Sequence, residues 1–210
     1  MKRPQRLVAF DLDGTLLTGT PSWEMIHAHF GTLQVAQQAH RDYSSRKISY
    51  AQFMRRDLSA WPKPISRGML TEILSGYRLR PEASAVVGDL KLMGYEVAII
   101  TSALDLLAKM VAYRLRIKYV LANKIGFDDS GNFNGRVYPL VDPINKHRAL
   151  IGLAARVGIR LRNTVAVGDT PYDESFLKTA GRGIVMGDEQ LAARLDMPCI
   201  HNLEELLELL

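Results

Sequence analysis

The sequence predicts an α/β fold: a doubly wound parallel sheet with an inserted, small α-helical domain and a β-hairpin excursion. Short β-branched runs alternate with amphipathic helical patterns along most of the chain, as in a parallel sheet flanked by helices. Polar residues follow three of these runs directly, and residues 17–79 interrupt the alternation with helical patterns alone. The 210 residues suffice for one such domain with an insertion.

The predicted α/β core comprises residues 1–16 and 80–210. Its strands are short apolar runs, which suit a parallel sheet that is covered on both faces. The clearest predicted strands are residues 7–10, 95–100 and 164–167. Shorter β/α units follow to the end of the chain.

Helices of the core are predicted from apolar residues at helical spacing. The pattern over 82–93 has Pro81 at its start and Gly94 just past its end, which are favoured positions for these residues. The same spacing predicts helices over 103–116 and 145–157, the second closed by Gly158.

Residues 17–79 are predicted to form the inserted helical domain, because they contain amphipathic patterns and no buried strand. Its predicted helices are residues 22–30, 32–45, 49–61 and 65–74. A second interruption, over 127–137, contains turn-forming residues and predicts the β-hairpin. The turn residues are Asp128-Asp129-Ser130-Gly131 and Asn134-Gly135.

Composition restricts the partners and the compartment. The net charge is +5, but the basic residues are scattered and form no run of four, so we expect no nucleic acid partner. The longest apolar runs are too short to span a bilayer, so we expect no membrane partner. The single cysteine, Cys199, excludes an intrachain disulfide and suits the cytoplasm. The sequence does not specify an oligomeric state.

The residues that carry chemistry follow the predicted strands. Asp11 and Asp13 come after the first strand, Thr101 and Ser102 after the second, and Asp169 after the third. Ligands of an open parallel sheet bind beyond the carboxyl ends of its strands. We therefore expect these polar residues to converge on one edge of the sheet.

Asp11 and Asp13 point the same way on an extended chain, since side chains alternate between the faces of a strand. Two carboxylates so close repel each other unless a cation or a shared proton lies between them. Mg²⁺ prefers one or two carboxylates together with substrate phosphate, so the pair predicts a magnesium site. A solvated turn is the alternative, because Asp, Gly and Thr all favour turns.

Three further elements have both a functional and a structural interpretation. Thr101 and Ser102 could bind phosphoryl oxygens at a helix start, or simply cap that helix. Lys146 could neutralise the same oxygens, or lie on the surface. Asp169 could bind the metal while Asp173 orients the metal or its waters, or Asp173 could cap the helix that begins at Glu174.

In this order, the four elements resemble the haloacid dehalogenase superfamily of phosphohydrolases. Asp11-Leu12-Asp13-Gly14-Thr15-Leu16 is similar to the first motif, Thr101-Ser102 to the second, Lys146 to the third, and Gly168-Asp169 with Asp173 to the fourth. The resemblance implies a Rossmann-like core and a type-1 helical cap at residues 17–79. The hairpin before Lys146 is most similar to that of the phosphoserine phosphatase branch.

The resemblance also implies residue roles. Asp11 would attack phosphorus, and Asp13 would protonate the leaving oxygen and then act as base toward water. Mg²⁺ would be bound by the Asp11 carboxylate, the Asp13 backbone carbonyl and the Asp169 carboxylate. Asp173 would orient the ion or its waters without binding the ion directly. Thr101, Ser102 and Lys146 would hold the phosphoryl oxygens. An aspartate at position 13 favours cleavage of a phosphate ester over dehalogenation.

The sequence departs from the phosphoserine phosphatase pattern in the residues that would bind serine. Thr20 or Pro21 occupies the place of the acidic residue that meets the substrate ammonium, and Asp57 the place of the arginine that binds the carboxylate. Tyr172 replaces an asparagine of the fourth motif. The possible substrate contacts of the insertion are Trp23, Glu24, Arg55, Arg56 and Asp57, with His27 and Trp61 near them; each could instead only pack the helices.

The sequence therefore predicts a Mg²⁺-dependent phosphomonoester hydrolase that acts on a small phosphorylated metabolite through Asp11. A phosphotransferase that uses an acceptor alcohol is one alternative. A phospho-accepting receiver domain is another, although the large helical insertion disfavours it. A non-catalytic relative that binds a partner is the third.

Overall fold

The structure, a computed structural model, describes residues 6–210. Residues 1–5 of the predicted core lie outside the described residues. The strands are β1 Arg6–Phe10, β2 Leu17–Thr18, β3 Arg78–Leu79, β4 Tyr95–Leu104, β5 Tyr119–Phe127, β6 Phe133–Tyr138, β7 Thr164–Gly168, β8 Arg182–Met186 and β9 Cys199–Ile200. The helices are α1 Ser22–His29, α2 Leu33–Ser44, α3 Tyr50–Ser59, α4 Arg67–Ser75, α5 Ala83–Leu92, α6 Asp105–Leu115, α7 His147–Val157, α8 Glu174–Thr179, α9 Glu189–Leu195 and α10 Glu205–Glu208.

Seven strands form the main sheet in the order β6-β5-β4-β1-β7-β8-β9. Every pairing in it is parallel except that of β6, which runs antiparallel to β5 at one edge. The predicted α/β fold with a parallel sheet and a hairpin excursion is confirmed. β1 lies at the centre, so the residues that follow it have a strand end on either side.

The sheet is buried on both faces because its strands carry apolar residues at successive positions. In β1, Val8 and Phe10 pack into one core cluster, while Leu7 and Ala9 pack into the other. Helices α5, α6 and α10 contribute to the first cluster, and α7, α8 and α9 to the second. This two-sided packing fixes the register of β1, and with it the positions of the residues beyond Phe10.

The predicted helical insertion contains α1 to α4, each within a residue or two of its predicted bounds. Its two ends meet, because β2 and β3 pair antiparallel and set Leu17 opposite Leu79. α3 begins with a capping box in which Ser49 and Gln52 each accept from the other's backbone N–H. The division into a core and a separate cap domain of residues 17–79 stays a prediction.

Three local predictions are wrong. The strand predicted over 95–100 continues through Thr101 and Ser102 to Leu104, with a register shift against β5, because Ala103 and Leu104 are buried apolar residues that pack against the sheet. The helix predicted from residue 103 therefore begins at Asp105. Asn134-Gly135 is not a turn but part of β6, near the shift in its register with β5, and Gly135 has a φ of +83°.

Among the helices of residues 6–210, none has both the length and the apolarity needed to cross a membrane.

Candidate active site

The carboxyl ends of β1 and β7 bring the aspartates of the first and fourth motifs together. The Asp11 backbone N–H donates to the Val167 carbonyl at 2.9 Å, which aligns the two strand ends. Gly14 then turns the chain with a φ of +79°, and a Cβ at this position would overlap the Asp169 carboxylate. Glycine is therefore required here both for its conformation and for the close approach of Asp169.

Three carboxylates form the centre of the site. Asp11, Asp169 and Asp173 each offer an oxygen, and these oxygens all lie within 4.8 Å of one another; we call the three residues the carboxylate cluster. Lys146, at the start of α7, is 2% exposed, and its Nζ lies 2.9 Å from Asp11 Oδ1. The same ammonium donates to Asp173 Oδ1. Lys146 thus pairs with two of the three carboxylates.

Asp173 is fully engaged by the protein. Its second oxygen, Oδ2, accepts from the Asp169 N–H at 3.2 Å, and from the Thr170 N–H and hydroxyl at 3.1 and 3.0 Å. Gly168 permits this arrangement, because a Cβ there would lie 2.7 Å from the Asp173 Cβ. The side chain does not cap α8. Asp173 therefore positions Lys146 and the Asp169 loop, while Asp11 and Asp169 keep oxygens for a ligand.

Two hydroxyl groups that sequence analysis missed form hydrogen bonds with Asp13 and Asp169. Ser22, at the first residue of α1, donates to Asp13 Oδ2 at 2.6 Å. Thr15 donates to Asp169 Oδ1 at 2.9 Å. Thr15 lies inside the first motif, so its place in the motif was a usable signal. Nothing local to Ser22 indicates its contact, which depends on how α1 packs against the sheet.

Burial and mutual repulsion shift the pKa values of the carboxylate cluster. Burial raises the pKa of Asp11 to about 8 against the opposing charge of Lys146, and Asp173 and Asp169 add to the rise. Burial likewise raises the pKa of Asp169 to about 7, with Asp173 adding to it. These two carboxylates ionise at neutral pH more readily if a further cation joins them.

The pKa values of Lys146 and Asp13 suit different tasks. Burial alone would lower the pKa of Lys146, but Asp11 and Asp173 together hold it above its usual range, so the ammonium stays charged. Burial raises the pKa of Asp13, although the hydrogen bond from Ser22 opposes the shift. A carboxyl group with a raised pKa can carry a proton and donate it.

Thr101 and Ser102 do not lie at a helix start. Thr101 is 2% exposed, and its Oγ1 accepts from the Ala103 N–H at 3.1 Å, which leaves the hydroxyl proton for another acceptor. Neither residue caps α6. The Ser102 carbonyl instead accepts from Trp23 Nε1 at 3.2 Å and from Asn123 Nδ2 at 2.8 Å, so the second motif joins the core to the insertion.

Of the predicted substrate contacts in the insertion, Trp23 lines the cavity that contains Asp11. Asp57 is buried, with Oδ2 3.2 Å from Nε2 of the buried His27. Arg56 pairs with Asp42 at 2.5 Å, and Glu24 and Arg55 are exposed outside this cavity. Trp61 is buried and packs against Trp23 and His27, with ring centroids 5.9 and 5.8 Å apart.

The cavity above Asp11 has a volume of about 400 Å³, and much of its wall is aromatic. Four ring residues of the insertion line it, and we call them the ring wall: Trp23, Tyr43, Tyr50 and Phe53. His40 and Tyr172 complete this side and hydrogen-bond each other at 2.9 Å. Sequence analysis had singled out Trp23 and Tyr172 but missed His40, Tyr43, Tyr50 and Phe53, because rings at helical spacing look the same whether they face a core or a cavity.

A family model matches most of the chain. Residues 8–178 match the family of haloacid dehalogenase-like hydrolases, and the chain belongs to this family. The match spans all four motifs, from Asp11 to Asp173.

The relatives most informative for this chain are phosphoserine phosphatases. The chain is 27% identical over 183 residues to phosphoserine phosphatase SerB2 of Mycobacterium tuberculosis, which covers 87% of this chain and 44% of that protein. It thus spans less than half the length of this relative. It is 26% identical over 211 residues to the phosphoserine phosphatase of Methanocaldococcus jannaschii, with 99% of each chain covered.

A solved structure gives the same result for the fold. A phospho-aspartyl intermediate analogue of phosphoserine phosphatase superposes with a TM-score of 0.82 and 25% identity. The superposition covers 99% of this chain and 100% of the other chain. The insertion and the hairpin are therefore within the shared fold.

Proposed function

We propose that this protein is a Mg²⁺-dependent phosphomonoester hydrolase in which Asp11 accepts the phosphoryl group of a small phosphorylated metabolite. The observation that carries the proposal is the carboxylate cluster, in which three acidic groups lie together and the ammonium of Lys146 pairs with two of them, Asp11 and Asp173. Such a cluster is poorly compensated by itself, and it is suited to a divalent cation and a phosphate group.

The residues present fit a magnesium ion. The oxygens of Asp173 are used by Lys146 and by the Asp169–Thr170 backbone, so Asp11 and Asp169 are the carboxylates that would hold the ion, together with the Asp13 backbone carbonyl. Mg²⁺ binds hard oxygen ligands of this kind and keeps room for phosphate oxygens. When bound, it would supply positive charge that keeps Asp11 ionised and lowers the charge on the phosphoryl oxygens.

In the proposed reaction, an Asp11 carboxylate oxygen attacks phosphorus, and the bond from phosphorus to the ester oxygen breaks. Asp13 gives its proton to the departing alkoxide, which leaves as the alcohol. Asp13 then takes a proton from water as the water oxygen attacks the aspartyl-phosphate, which releases inorganic phosphate and restores Asp11. The Asp13 pKa, raised by burial, supports the donor step, and the Ser22 hydrogen bond orients the carboxyl group.

Lys146 and the second motif are proposed to hold the phosphoryl oxygens. Lys146 Nζ is buried within 2.9 Å of Asp11 Oδ1, and the Thr101 hydroxyl proton is not used by the Ala103 amide. Phosphoryl transfer depends mainly on positioning and on stabilisation of the charge on the equatorial oxygens, and both groups supply these. The cavity volume of about 400 Å³ suits a small ester.

The test replaces Asp11 by Asn and measures hydrolysis of p-nitrophenyl phosphate in MgCl₂. We expect kcat to fall by at least about 10³-fold, because an amide oxygen is a far weaker nucleophile than a carboxylate. Asp129→Asn is the matched control, since Asp129 is exposed in the hairpin turn and far from the four motifs in sequence. Wild-type rates in Asp11→Asn, with the protein folded, would contradict the proposal.

A further inference from the structure

The alcohol end of the cavity differs in chemistry from the phosphate end. The Asp and Lys residues that line the cavity all come from the core: Asp11, Asp13 and Asp169 follow strand ends, and Lys146 lies at the start of α7. Within the described residues 6–210, the insertion contributes no Asp, Glu, Lys or Arg to this lining. Its contribution is the ring wall together with Gly19, Pro21 and His40. An alcohol that extends from the phosphate toward the insertion therefore meets mostly ring surface, with the hydrogen-bonded pair of His40 and Tyr172 beside it.

The ring wall is a packed aromatic surface. The Phe53 ring stacks on Tyr43 at 5.3 Å and 26°, and on Tyr50 at 5.8 Å and 27°. Tyr43 and Tyr50 are buried behind it, whereas Phe53 and Trp23 are only partly buried and line the cavity. These two side chains are the rings with surface left for a ligand.

The polar atoms of the ring wall are already engaged within the protein. Tyr50 Oη accepts from Asn123 Nδ2 at 2.6 Å, and Tyr43 Oη donates to Asp142. Trp23 Nε1 donates to the Ser102 carbonyl at 3.2 Å. Burial raises the pKa of both tyrosines, so neither phenol supplies a charge. The wall therefore offers a ligand π-faces and ring edges rather than hydrogen bonds.

Three charged residues of the insertion line a neighbouring cavity instead. A second cavity of about 460 Å³, lined among others by Glu24, Arg41 and Asp57, shares only Pro21, Trp23, His40 and Phe53 with the first. Asp57 faces His27 at 3.2 Å and does not line the cavity above Asp11. A substrate ammonium or carboxylate in this cavity would thus meet no Asp, Glu, Lys or Arg of the insertion.

We propose that the ester selected by this site carries an uncharged, ring-bearing alcohol, and that Trp23 and Phe53 determine this specificity. The inference rests on the proposed hydrolase function and replaces the charged serine of the named relatives by a neutral ring. Burying an unpaired charge is strongly unfavourable, whereas a ring packs well against stacked aromatic side chains. The reaction itself is unchanged: the bond from phosphorus to the ester oxygen breaks, and Asp13 protonates the departing alkoxide.

The experiment compares kcat/KM for benzyl phosphate and O-phospho-L-serine in MgCl₂. Both are alkyl esters, so their leaving alcohols are of similar basicity and the ratio reports recognition. We expect benzyl phosphate to be preferred by roughly 100-fold, within the range that an apolar pocket achieves. Equal values, or a preference for phosphoserine, would overturn the inference.

Two variants locate the preference. Phe53→Leu and Trp23→Leu keep apolar bulk but remove a ring, so we expect each to lower kcat/KM for benzyl phosphate by roughly 10-fold, the effect of losing one good contact. The low phosphoserine value should change little, and the ratio should fall. Tyr113→Leu, at a ring that is 89% exposed on α6, is the matched control with an unchanged ratio. Thermal unfolding checks that every variant is folded.

The outcomes separate the inference from the function on which it rests. Asp11-dependent hydrolysis of p-nitrophenyl phosphate without a benzyl preference overturns the inference and leaves the function. A benzyl preference that persists in both folded ring variants also overturns the assignment to Trp23 and Phe53. If none of the three esters is hydrolysed, or if Asp11→Asn has no effect, the proposed function fails and the inference fails with it.

Discussion

The two sides of the cavity above Asp11 are held in place in different ways. On the strand-end side, aspartates and Lys146 are fixed by short polar contacts, such as Lys146 to Asp11 at 2.9 Å and Thr15 to Asp169 at 2.9 Å. On the insertion side, Trp23 and Phe53 are fixed mainly by ring packing, with one hydrogen bond from Trp23 Nε1 to the Ser102 carbonyl at 3.2 Å. The difference separates two proposed tasks: the first side performs the phosphoryl chemistry, and the second selects the alcohol.

After Asp11→Asn, the largest expected effect comes from removing the lysine of the strand-end side. Lys146→Met would leave the carboxylate cluster without its ammonium, so we expect kcat for p-nitrophenyl phosphate to fall roughly 10²–10³-fold, as for other groups that stabilise transition-state charge. Loss of one partner of a buried ion pair also destabilises, by about 3–5 kcal/mol. Steady-state kinetics and urea unfolding measure the two effects.

A surface ion pair provides the matched control for this substitution. Lys109 lies 2.6 Å from Asp105 on α6, and its side chain is 63% exposed. Lys109→Met should cost only about 0–1 kcal/mol, because exposed pairs are screened by water. If Lys109→Met and Lys146→Met lowered the free energy of unfolding by similar amounts, burial of the Lys146 ion pair would contribute little to stability.

The next effect concerns Asn123, which joins the two sides. Asn123 is fully buried; it donates to Tyr50 Oη and to the Ser102 and Val141 carbonyls, and it accepts from the Val141 N–H. Asn123→Ala leaves several of these groups unpaired, so we expect the free energy of unfolding to fall by about 2–4 kcal/mol. The exposed Asn134→Ala should change it by less than about 0.5 kcal/mol. Equal urea midpoints for the two variants would show that this junction is unimportant.

The last effect is a pH dependence of the free energy of unfolding, which depends on conditions rather than on a substitution. The pKa values of Asp11 and Asp169 rise from 3.8 in the unfolded chain to about 8 and about 7 in the fold, so the folded state holds more protons within this window. The free energy of unfolding of the metal-free protein should therefore contain a component that falls as the pH rises from about 4 to about 8. Mg²⁺ should raise the melting temperature by a few degrees more at about pH 8 than at about pH 5, because it favours the ionised carboxylates.

The control for the pH effect is Asp11→Asn, which removes one of the two shifted groups. Its melting temperature should depend less on pH across the same window, and Mg²⁺ should stabilise it less. Differential scanning calorimetry gives both values. An equal response to Mg²⁺ at the two pH values would contradict the role of these carboxylates.

The strand-end side of the site was largely predictable from the sequence. Asp11, Lys146 and Asp169 could be placed because strand ends and helix starts are read from local patterns, and parallel strands end at one edge. Local patterns failed where packing decided: Ala103 and Leu104 extend β4, so Thr101 and Ser102 lie in a strand instead of at a helix start. The roles assigned to these residues stay predictions.

The insertion side could not be predicted in the same way. The bounds of α1 to α4 follow from periodicity, but the faces that Tyr43, Tyr50 and Phe53 present depend on how α2 and α3 pack against the core. Contacts between residues distant in sequence fix that packing, such as Ser22 to Asp13 and Asn123 to Tyr50. The sequence alone pointed instead to Arg55, Arg56 and Asp57, because charged residues would be expected to bind the ammonium and carboxylate of a serine substrate.

The most direct measurement traps the proposed intermediate. Protein mixed with an ester and MgCl₂ is quenched in acid and reduced with borohydride, which converts an aspartyl-phosphate to homoserine, and peptides are then mapped by mass spectrometry. We predict homoserine at position 11 with benzyl phosphate and with p-nitrophenyl phosphate, and none in Asp11→Asn. Homoserine at another aspartate, or active turnover with no trapped residue at position 11, would contradict the assignment of Asp11 as the phosphoryl acceptor.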